Sequence, residues 1–135
     1  MIDFTRLGDI RRNRPLIHCV SNTVSANDCA NLVLAVGGSP IMACAEEEAA
    51  DIAAAAAAVV LNTGTPDRTK FAVCRLCGEA ASRLGRPVVL DPVMVATSGD
   101  RLLDTAAEDA LHRLMEHTDV LTPNIHELAV LARTE

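Results

Sequence analysis

An aspartate at the end of a predicted buried strand is the residue best placed to do chemistry in this sequence. Residues 88–91 read VVLD, and Pro92 prevents the strand from continuing. A loop of small and hydroxyl-bearing residues follows, as far as position 100. Ligands of open α/β sheets bind outside the carboxyl ends of the strands. The pattern therefore predicts that Asp91 faces a ligand.

A second predicted strand ends in a similar way. Residues 119–122 run into Pro123 and Asn124, and Glu127 lies three residues beyond Asn124. This spacing is that of a capping box, in which both side chains bond the first turn of a helix. The same spacing also places a second acid, Glu127, near the carboxyl end of the strands, where Asp91 is predicted to lie. A structural role and a ligand-binding role for Glu127 both stay open at this point.

The elements that must position these residues alternate between strand and helix. The predicted strands cover residues 16–20, 39–43, 59–62, 88–91 and 120–122. We place helix N-caps at Ser25 and Thr105, the start of a helix at Pro66, and helix ends at Gly37 and Gly85. Strands separated by helices pair in parallel with right-handed crossovers. The sequence thus predicts an α/β fold in a single domain that covers residues 1–135.

Composition narrows the possible partners. Half of the 135 residues are hydrophobic, and Phe4 and Phe71 are the two aromatic residues. The formal net charge is −6 and no basic run occurs, which argues against duplex nucleic acid or an anionic membrane surface as a partner. The longest apolar stretch, residues 52–61, is too short to span a bilayer. We see no signal peptide in residues 1–15, so we expect a cytoplasmic protein.

Cysteine and histidine residues raise further possibilities. The odd count of five cysteines favours free thiols in a reducing compartment. Cys74 and Cys77 form a CxxC pair, which we interpret as small buried residues of a helix rather than a redox or zinc motif. We interpret His18 as a hydrogen-bonded core residue. The sequence has no GxSxG, Walker lysine or paired-histidine metal motif, which argues against hydrolases and Walker-type NTPases.

Two segments of the first half resemble a known family. Residues 15–52 read PLIHCVSNTVSANDCANLVLAVGGSPIMACAEEEAADI, and residues 59–65 read VVLNTGT. Both closely resemble the N-terminal half of hydroxyethylthiazole kinases. These ribokinase-like enzymes of thiamine salvage phosphorylate the alcohol of 4-methyl-5-(2-hydroxyethyl)thiazole with ATP and magnesium. The resemblance implies a three-layer αβα fold with a mostly parallel sheet, of which this sequence holds the N-terminal portion.

The resemblance also implies roles for six residues. Met42 matches the family methionine that lines the thiazole pocket, and Asn22 matches a pocket asparagine. A thioether packs well beside a flat heteroaromatic ring. Asp91 and Glu127 match the acids near magnesium and the phosphates, which suits a cation that prefers hard oxygen ligands. Nucleotide contacts fall on Thr122 and Asn124.

The second half of the sequence departs from this family. Residues 94–103 and 120–131 look more like hydroxymethylpyrimidine kinases of the same superfamily. Thiazole kinases usually carry a nucleotide-binding arginine at the position of Thr122, so a charged ATP contact is absent there. A hydroxymethylpyrimidine or pyridoxal-type kinase is therefore the alternative enzyme.

A further departure concerns the catalytic loop. Ribokinase-like kinases place a GxGD or GAGC-type loop, with the general base and anion hole, in their C-terminal half, and nothing in this sequence matches it. We therefore leave the catalytic residues unassigned and expect them in sequence beyond Glu135. The resemblance implies a homotrimer that binds the thiazole alcohol and ATP. An alternative of another class is a truncated, non-catalytic domain that binds a heterocycle.

Overall fold

Helices and strands alternate along the chain, as the sequence predicts. The computed structural model describes residues 4–64, 67–94 and 103–132. In chain order its elements are α1 (Thr5–Asn13), β1 (Leu16–Val20), α2 (Ala26–Val36), β2 (Ser39–Ile41), α3 (Glu46–Ala55), β3 (Ala58–Asn62), α4 (Arg68–Arg83), β4 (Val88–Asp91), α5 (Thr105–Met115), β5 (Val120–Leu121) and α6 (Ile125–Leu131). The predicted α/β class is confirmed.

The five strands form one parallel sheet in the order β2-β1-β3-β4-β5. The chain moves outwards from β1 to β2 and then reverses direction to reach β3. Because crossovers between parallel strands are right-handed, this reversal places α2 on one face of the sheet and α3, α4 and α5 on the other. The point of reversal, between the carboxyl ends of β1 and β3, is where ligands bind in open sheets of this order.

The register of the strands aligns their carboxyl ends. Val20 pairs with Leu61, and Asn62 pairs with Asp91. Leu90 pairs with Leu121, so the residues that follow them, Asp91 and Thr122, lie at the same edge of the sheet. This alignment brings polar residues from distant parts of the sequence to one edge of the sheet.

The core lies between the sheet and α4. Val59 and Leu61 alternate along β3 and are fully buried, and α4 buries Val73, Cys74 and Cys77 on the side that faces the sheet. A Cβ atom added to Gly78 of this helix would lie 3.1 Å from the Leu114 Cδ1 atom, so the absence of a side chain lets α5 pack closely. Small residues therefore replace aromatic ones in this core, as its composition predicts.

Two predicted helix caps differ from those observed. Asp104, not Thr105, caps α5, because its side chain accepts a hydrogen bond from the Ala107 N–H group at 2.8 Å. Ser25 occupies the N-cap position of α2, but its side chain makes no cap bond. The predicted helix start at Pro66 and most of the loop after Asp91 lie outside the described residues.

Candidate active site

Asn62 and Asp91 form the centre of the polar cluster at the carboxyl edge. The two residues end β3 and β4, and the Asn62 Nδ2 atom donates a hydrogen bond to the Asp91 Oδ2 atom at 2.7 Å. The Asn62 Oδ1 atom accepts from the Gly64 N–H group at 2.8 Å. Asn62 is thus fixed through both ends of its amide, and it presents a donor to the carboxylate.

Asn22, in the loop after β1, extends this cluster. Its Nδ2 atom lies 3.4 Å from the Asn62 Oδ1 atom, a long hydrogen bond. Its Oδ1 atom accepts from the Ser25 N–H group at 2.8 Å and from the Ser25 hydroxyl at 3.0 Å. The amide of Asn22 therefore holds the start of α2, which explains why the Ser25 side chain does not act as the cap.

Asp91 is half-buried, and its surroundings shift its pKa in opposite directions. Burial, together with the negative charge of Glu127, raises the pKa of Asp91 above its ordinary value of 3.8, whereas hydrogen bonds from Thr122 and Asn62 oppose that rise. Thr122 follows β5 directly. We call Asn22, Asn62, Asp91 and Thr122 the strand-end cluster, because they come from the ends of four neighbouring strands.

Glu127 and Asn124 are bound mainly to the backbone. The Asn124 Oδ1 atom accepts from the His126 and Glu127 N–H groups at 3.0 and 2.9 Å, and the Glu127 Oε2 atom accepts from the Asn124 N–H group at 2.9 Å. The other Glu127 oxygen, Oε1, accepts from the Met94 N–H group at 3.1 Å. The capping box that the spacing predicts is confirmed. Glu127 is 3% exposed and also joins α6 to the loop after β4.

Met42 lies at the same edge, at the far side from Glu127. It follows β2 directly and is half-buried. A cavity of about 190 Å³ opens between the loops that follow β1 and β2 and the first turn of α4. Its lining includes Ser21, Thr23, Cys44, Thr69 and Lys70. Thr23 is the neighbour of Asn22, and Cys44 is two residues from Met42, so this cavity is lined by the two loops that carry the residues predicted to bind thiazole, although Asn22 and Met42 are not among its lining residues.

Lys70 approaches the edge from the face that carries α4. Its Nζ atom donates to the Gly64 carbonyl oxygen at 2.7 Å and to the Ser21 carbonyl oxygen at 3.0 Å. The N-cap of the helix, Asp67, accepts from the Lys70 N–H group at 2.6 Å and fixes the first turn. The ammonium group therefore bridges the loops that leave β1 and β3.

The remaining candidates from the sequence are structural. His18 is fully buried, and its Nε2 atom lies 2.9 Å from the Ala43 carbonyl oxygen, which confirms its interpretation as a bonded core residue. Cys74 and Cys77 are fully buried in α4, and burial raises the pKa of each thiol to about 12. Thiols that hold their protons so strongly suit the predicted structural role and not redox chemistry.

The side chains at the carboxyl edge of the sheet match the ligands that a hard metal cation needs only in part. Among the described residues, no group of three or more His, Cys, Asp or Glu side chains is arranged to hold a metal ion. Magnesium, however, is often bound through one or two carboxylates, with water and substrate phosphates as its other ligands. The negative charge of Glu127 raises the pKa of Asp91, so a cation bound beside Asp91 would offset this repulsion.

Comparison with known proteins identifies the family. The model of the hydroxyethylthiazole kinase family matches residues 7–135. The chain belongs to the hydroxyethylthiazole kinase family. A hydroxyethylthiazole kinase from Methanocella arvoryzae is 41% identical over 129 residues, which are 96% of this chain and 47% of that protein. One from Alkaliphilus metalliredigens is 43% identical, over 90% of this chain and 43% of its own length.

A solved structure of the same family supports the fold. The structure of the hydroxyethylthiazole kinase protein from Pyrococcus horikoshii OT3 matches with a TM-score of 0.82 and 36% sequence identity, over 94% of this chain and 48% of that one. The chain therefore spans about half the length of the hydroxyethylthiazole kinases that it matches. No helix in the part of the chain that the structure describes has the length and apolar character needed to cross a membrane.

Two residues of this polar edge were not predicted from the sequence. Asn62 was assigned only to a strand, although a polar residue ends β3 in the same position as Asp91 ends β4. Lys70 was not considered, although it is the only lysine in the sequence. The polar residue at the end of β3 and the single lysine can both be recognised in the sequence once the parallel pairing of the strands is known.

Proposed function

We propose that this chain provides the substrate-binding part of a kinase that transfers the γ-phosphoryl group of ATP to the hydroxyethyl group of 4-methyl-5-(2-hydroxyethyl)thiazole, in thiamine biosynthesis. The family supports the substrate and the reaction class. The observation that carries the proposal is the strand-end cluster, which gathers amide, carboxylate and hydroxyl groups at the edge where an open sheet binds ligands.

The thiazole ring is proposed to bind between Asn22 and Met42. The cavity between their loops combines the apolar Val20 and Val73 side chains with hydroxyl groups, which suits a small heterocyclic alcohol. The amide of Asn22 is a donor and an acceptor that can orient the ring or its alcohol. Met42 supplies a polarisable sulfur beside the ring.

The acids are proposed to serve the nucleotide side of the reaction. The substrate alcohol would attack the γ-phosphorus, forming an O–P bond while the bond to the β-phosphate oxygen breaks and ADP leaves. Magnesium, when bound, neutralises charge on the phosphates, and Asp91 and Glu127 would hold it. Thr122 and Asn124 would contact the nucleotide at the adjacent end of β5. Asn62 keeps the Asp91 carboxylate in a fixed orientation.

The alcohol must lose its proton during the transfer, and we propose that the proton passes to a base in the part of the kinase that corresponds to the other half of its relatives, and to no described residue. Asp91 accepts hydrogen bonds from Asn62 and Thr122, which orient it without making it a base. The four residues of the strand-end cluster therefore bind and orient the reactants. A version of the enzyme with the length of its relatives is the form expected to turn over.

The same resemblance leads us to propose a cytoplasmic homotrimer. All five cysteines are free thiols, which suits a reducing compartment. α2 has no buried residue, and Leu32 and Leu34 on its surface are 67% and 53% exposed. Apolar surface of this kind favours contact with another subunit.

A coupled assay of ADP release, with thermal unfolding in parallel, tests the proposal. We would measure both with the thiazole alcohol and with the hydroxymethylpyrimidine alcohol, using this chain alone and the chain fused to the C-terminal half of the Methanocella arvoryzae enzyme. Because a ligand that binds the native state raises the midpoint of unfolding, the thiazole alcohol should stabilise both forms. ADP release should occur in the fused form.

Three outcomes would change the proposal. Stabilisation by the pyrimidine alcohol alone would favour the related pyrimidine kinases. Stabilisation by the thiazole alcohol without ADP release in either form would favour a non-catalytic heterocycle-binding domain. The absence of any effect of either alcohol would contradict the proposed substrate class.

A further inference from the structure

Lys70 is bound to the two loops that meet at the reversal of the sheet order. Its ammonium group donates to the carbonyl oxygens of Ser21 and Gly64, which follow β1 and β3. Hydrogen bonds from a charged donor are about twice as strong as those between neutral groups. The half-buried position of Lys70 strengthens them further, because the local dielectric constant is lower than in water.

Gly64 connects Lys70 to the strand-end cluster. The carbonyl oxygen of Gly64 accepts from Lys70, while its N–H group donates to Asn62, which in turn donates to Asp91. On the other loop, Ser21 is the residue before Asn22. The ammonium group therefore affects the strand-end cluster indirectly, through the peptide groups of Ser21 and Gly64 on either side of the crevice.

Lys70 also lines the cavity proposed for the thiazole ring. One side of this cavity is the loop after β1, with Ser21 and Thr23, and another is the start of α4, with Thr69 and Lys70. The bond from Lys70 to Ser21 joins these two sides and so limits the width of the cavity. Loss of the bridge would let the two loops separate. Asn22 would then lose its position relative to Asn62.

We propose that Lys70 is a positioning residue for the thiazole alcohol. By bonding both loops, it holds the loop after β1 at the distance from the start of α4 that the substrate needs. This inference rests on the proposed function and adds a specificity-determining residue to it. A positioning role predicts that substrate affinity changes more than the stability of the unliganded protein does.

The test compares three variants with the unmodified chain by calorimetric titration with the thiazole alcohol. Lys70→Met keeps the length of the side chain and removes the charge, and we expect the dissociation constant to rise about 10-fold or more. Lys70→Arg keeps a charged multiple donor and should stay within about threefold. Arg75→Met is the matched control on the same helix, because Arg75 pairs with the exposed Glu79 at 2.9 Å, and this variant should bind normally.

A second measurement keeps the inference testable if Lys70→Met fails to fold. As the chain has one lysine, labelling with ζ-¹⁵N-lysine gives a single side-chain ammonium resonance. That resonance should shift on titration with the thiazole alcohol.

The outcomes separate this inference from the proposed function. Normal thiazole affinity in Lys70→Met, or an ammonium resonance that does not move while the unmodified chain binds, would overturn the role of Lys70 and leave the substrate assignment in place. Failure of the unmodified chain to bind the thiazole alcohol would overturn the proposed function, and this inference with it.

Discussion

The side chains at the two ends of the carboxyl edge are held in different ways. Asn22, Asn62 and Asp91 bond one another across strand boundaries, over sequence separations of 40 and 29 residues. Asn124 and Glu127 instead bond mainly the start of their own helix, over separations of two or three residues, and one further bond joins Glu127 to the Met94 N–H group. The first arrangement depends on the tertiary structure, whereas the second is mainly local structure that holds α6 in place.

This difference predicts different responses to mutation. Changes that break the hydrogen bonds of the strand-end cluster should weaken thiazole binding as well as folding. Changes in the capping box of α6 should act mainly on folding. Measuring both thiazole affinity and the free energy of unfolding for each variant would show whether the two regions differ in this way.

The largest effect is expected for Asn62→Asp. This change replaces the amide that donates to Asp91 at 2.7 Å with a second carboxylate. Loss of a charged hydrogen bond and repulsion between like charges should lower the free energy of unfolding by about 3 kcal/mol at pH 7. The loss should shrink in acid, as the pair of carboxylates takes up a proton, and thiazole affinity at pH 7 should fall about tenfold.

Denaturant unfolding at pH 7 and pH 4.5, with titration calorimetry, measures these effects of Asn62→Asp. Asn31→Asp, on the exposed surface of α2, is the matched control for the charge itself. Equal unfolding free energies for the two variants would show that the Asn62 to Asp91 bond contributes nothing.

Glu127→Ala should have the next largest effect. The change removes the acceptor of the buried Met94 N–H group and one side of the capping box. We expect the free energy of unfolding to fall by about 2 kcal/mol, with little change in thiazole affinity. Glu127→Gln can still complete a capping box and should retain most of the stability. A loss of thiazole binding in Glu127→Gln would contradict the separation of the two regions.

Gly64→Ala tests how closely the strand-end cluster is packed. A Cβ atom at this position would lie 2.9 Å from the Asn62 Oδ1 atom and 3.1 Å from the Asn22 Nδ2 atom. Because Asn62 is held at both ends of its amide, it cannot move away freely, and we expect a loss of about 1.5 kcal/mol in unfolding free energy with weaker thiazole binding.

The control for Gly64→Ala is Gly8→Ala in α1. Among the described residues, an added Cβ there would meet only the Arg12 side chain, at 3.4 Å, and alanine favours the helix. That variant should gain about 0.5 kcal/mol. A neutral Gly64→Ala variant would indicate that the cluster is loosely packed.

The smallest effect, and a gain, is expected for Asp91→Asn. The pKa of Asp91 is raised above 3.8 by burial and by Glu127, so the fold favours the protonated acid. The stability that this group contributes is present below about pH 3.8 and is lost as the pH rises through the folded pKa. Asp91→Asn should therefore raise the midpoint of unfolding at pH 7, and the gain should disappear as the pH approaches 3.8.

Thermal unfolding across this pH range measures the effect of Asp91→Asn, and Asp109→Asn on the exposed surface of α5 provides the control. A gain that persists unchanged at low pH would show that ionisation of Asp91 is not its source.

The parts of the fold that depend on local sequence were predictable, and the parts that depend on pairing were not. The spacing of Asn124 and Glu127 predicts the capping box because its bonds span one helical turn. Asp91 was found because it ends a strand before a proline. Asn62 was missed because its partner lies 29 residues away, and only the register of β3 and β4 brings them together.

Contacts that local sequence does not contain also explain why the cap of α2 and the role of Lys70 were not predicted. Ser25 has the residue type of a cap, but Asn22 competes for its N–H group and hydroxyl. The bond from Lys70 to Ser21 spans 49 residues, so no local pattern contains it. Residue types at strand ends show which side chains reach the site, and the strand order shows which of them meet.

The distribution of the thiols has a practical consequence for labelling. Cys19, Cys74 and Cys77 are buried, and burial raises their pKa values to about 11, 12 and 12, which keeps them unreactive towards alkylating reagents. Cys44 is exposed at the rim of the cavity beside Lys70. A maleimide dye should attach there first, and it would place a fluorescent reporter at the mouth of the cavity without any engineered cysteine.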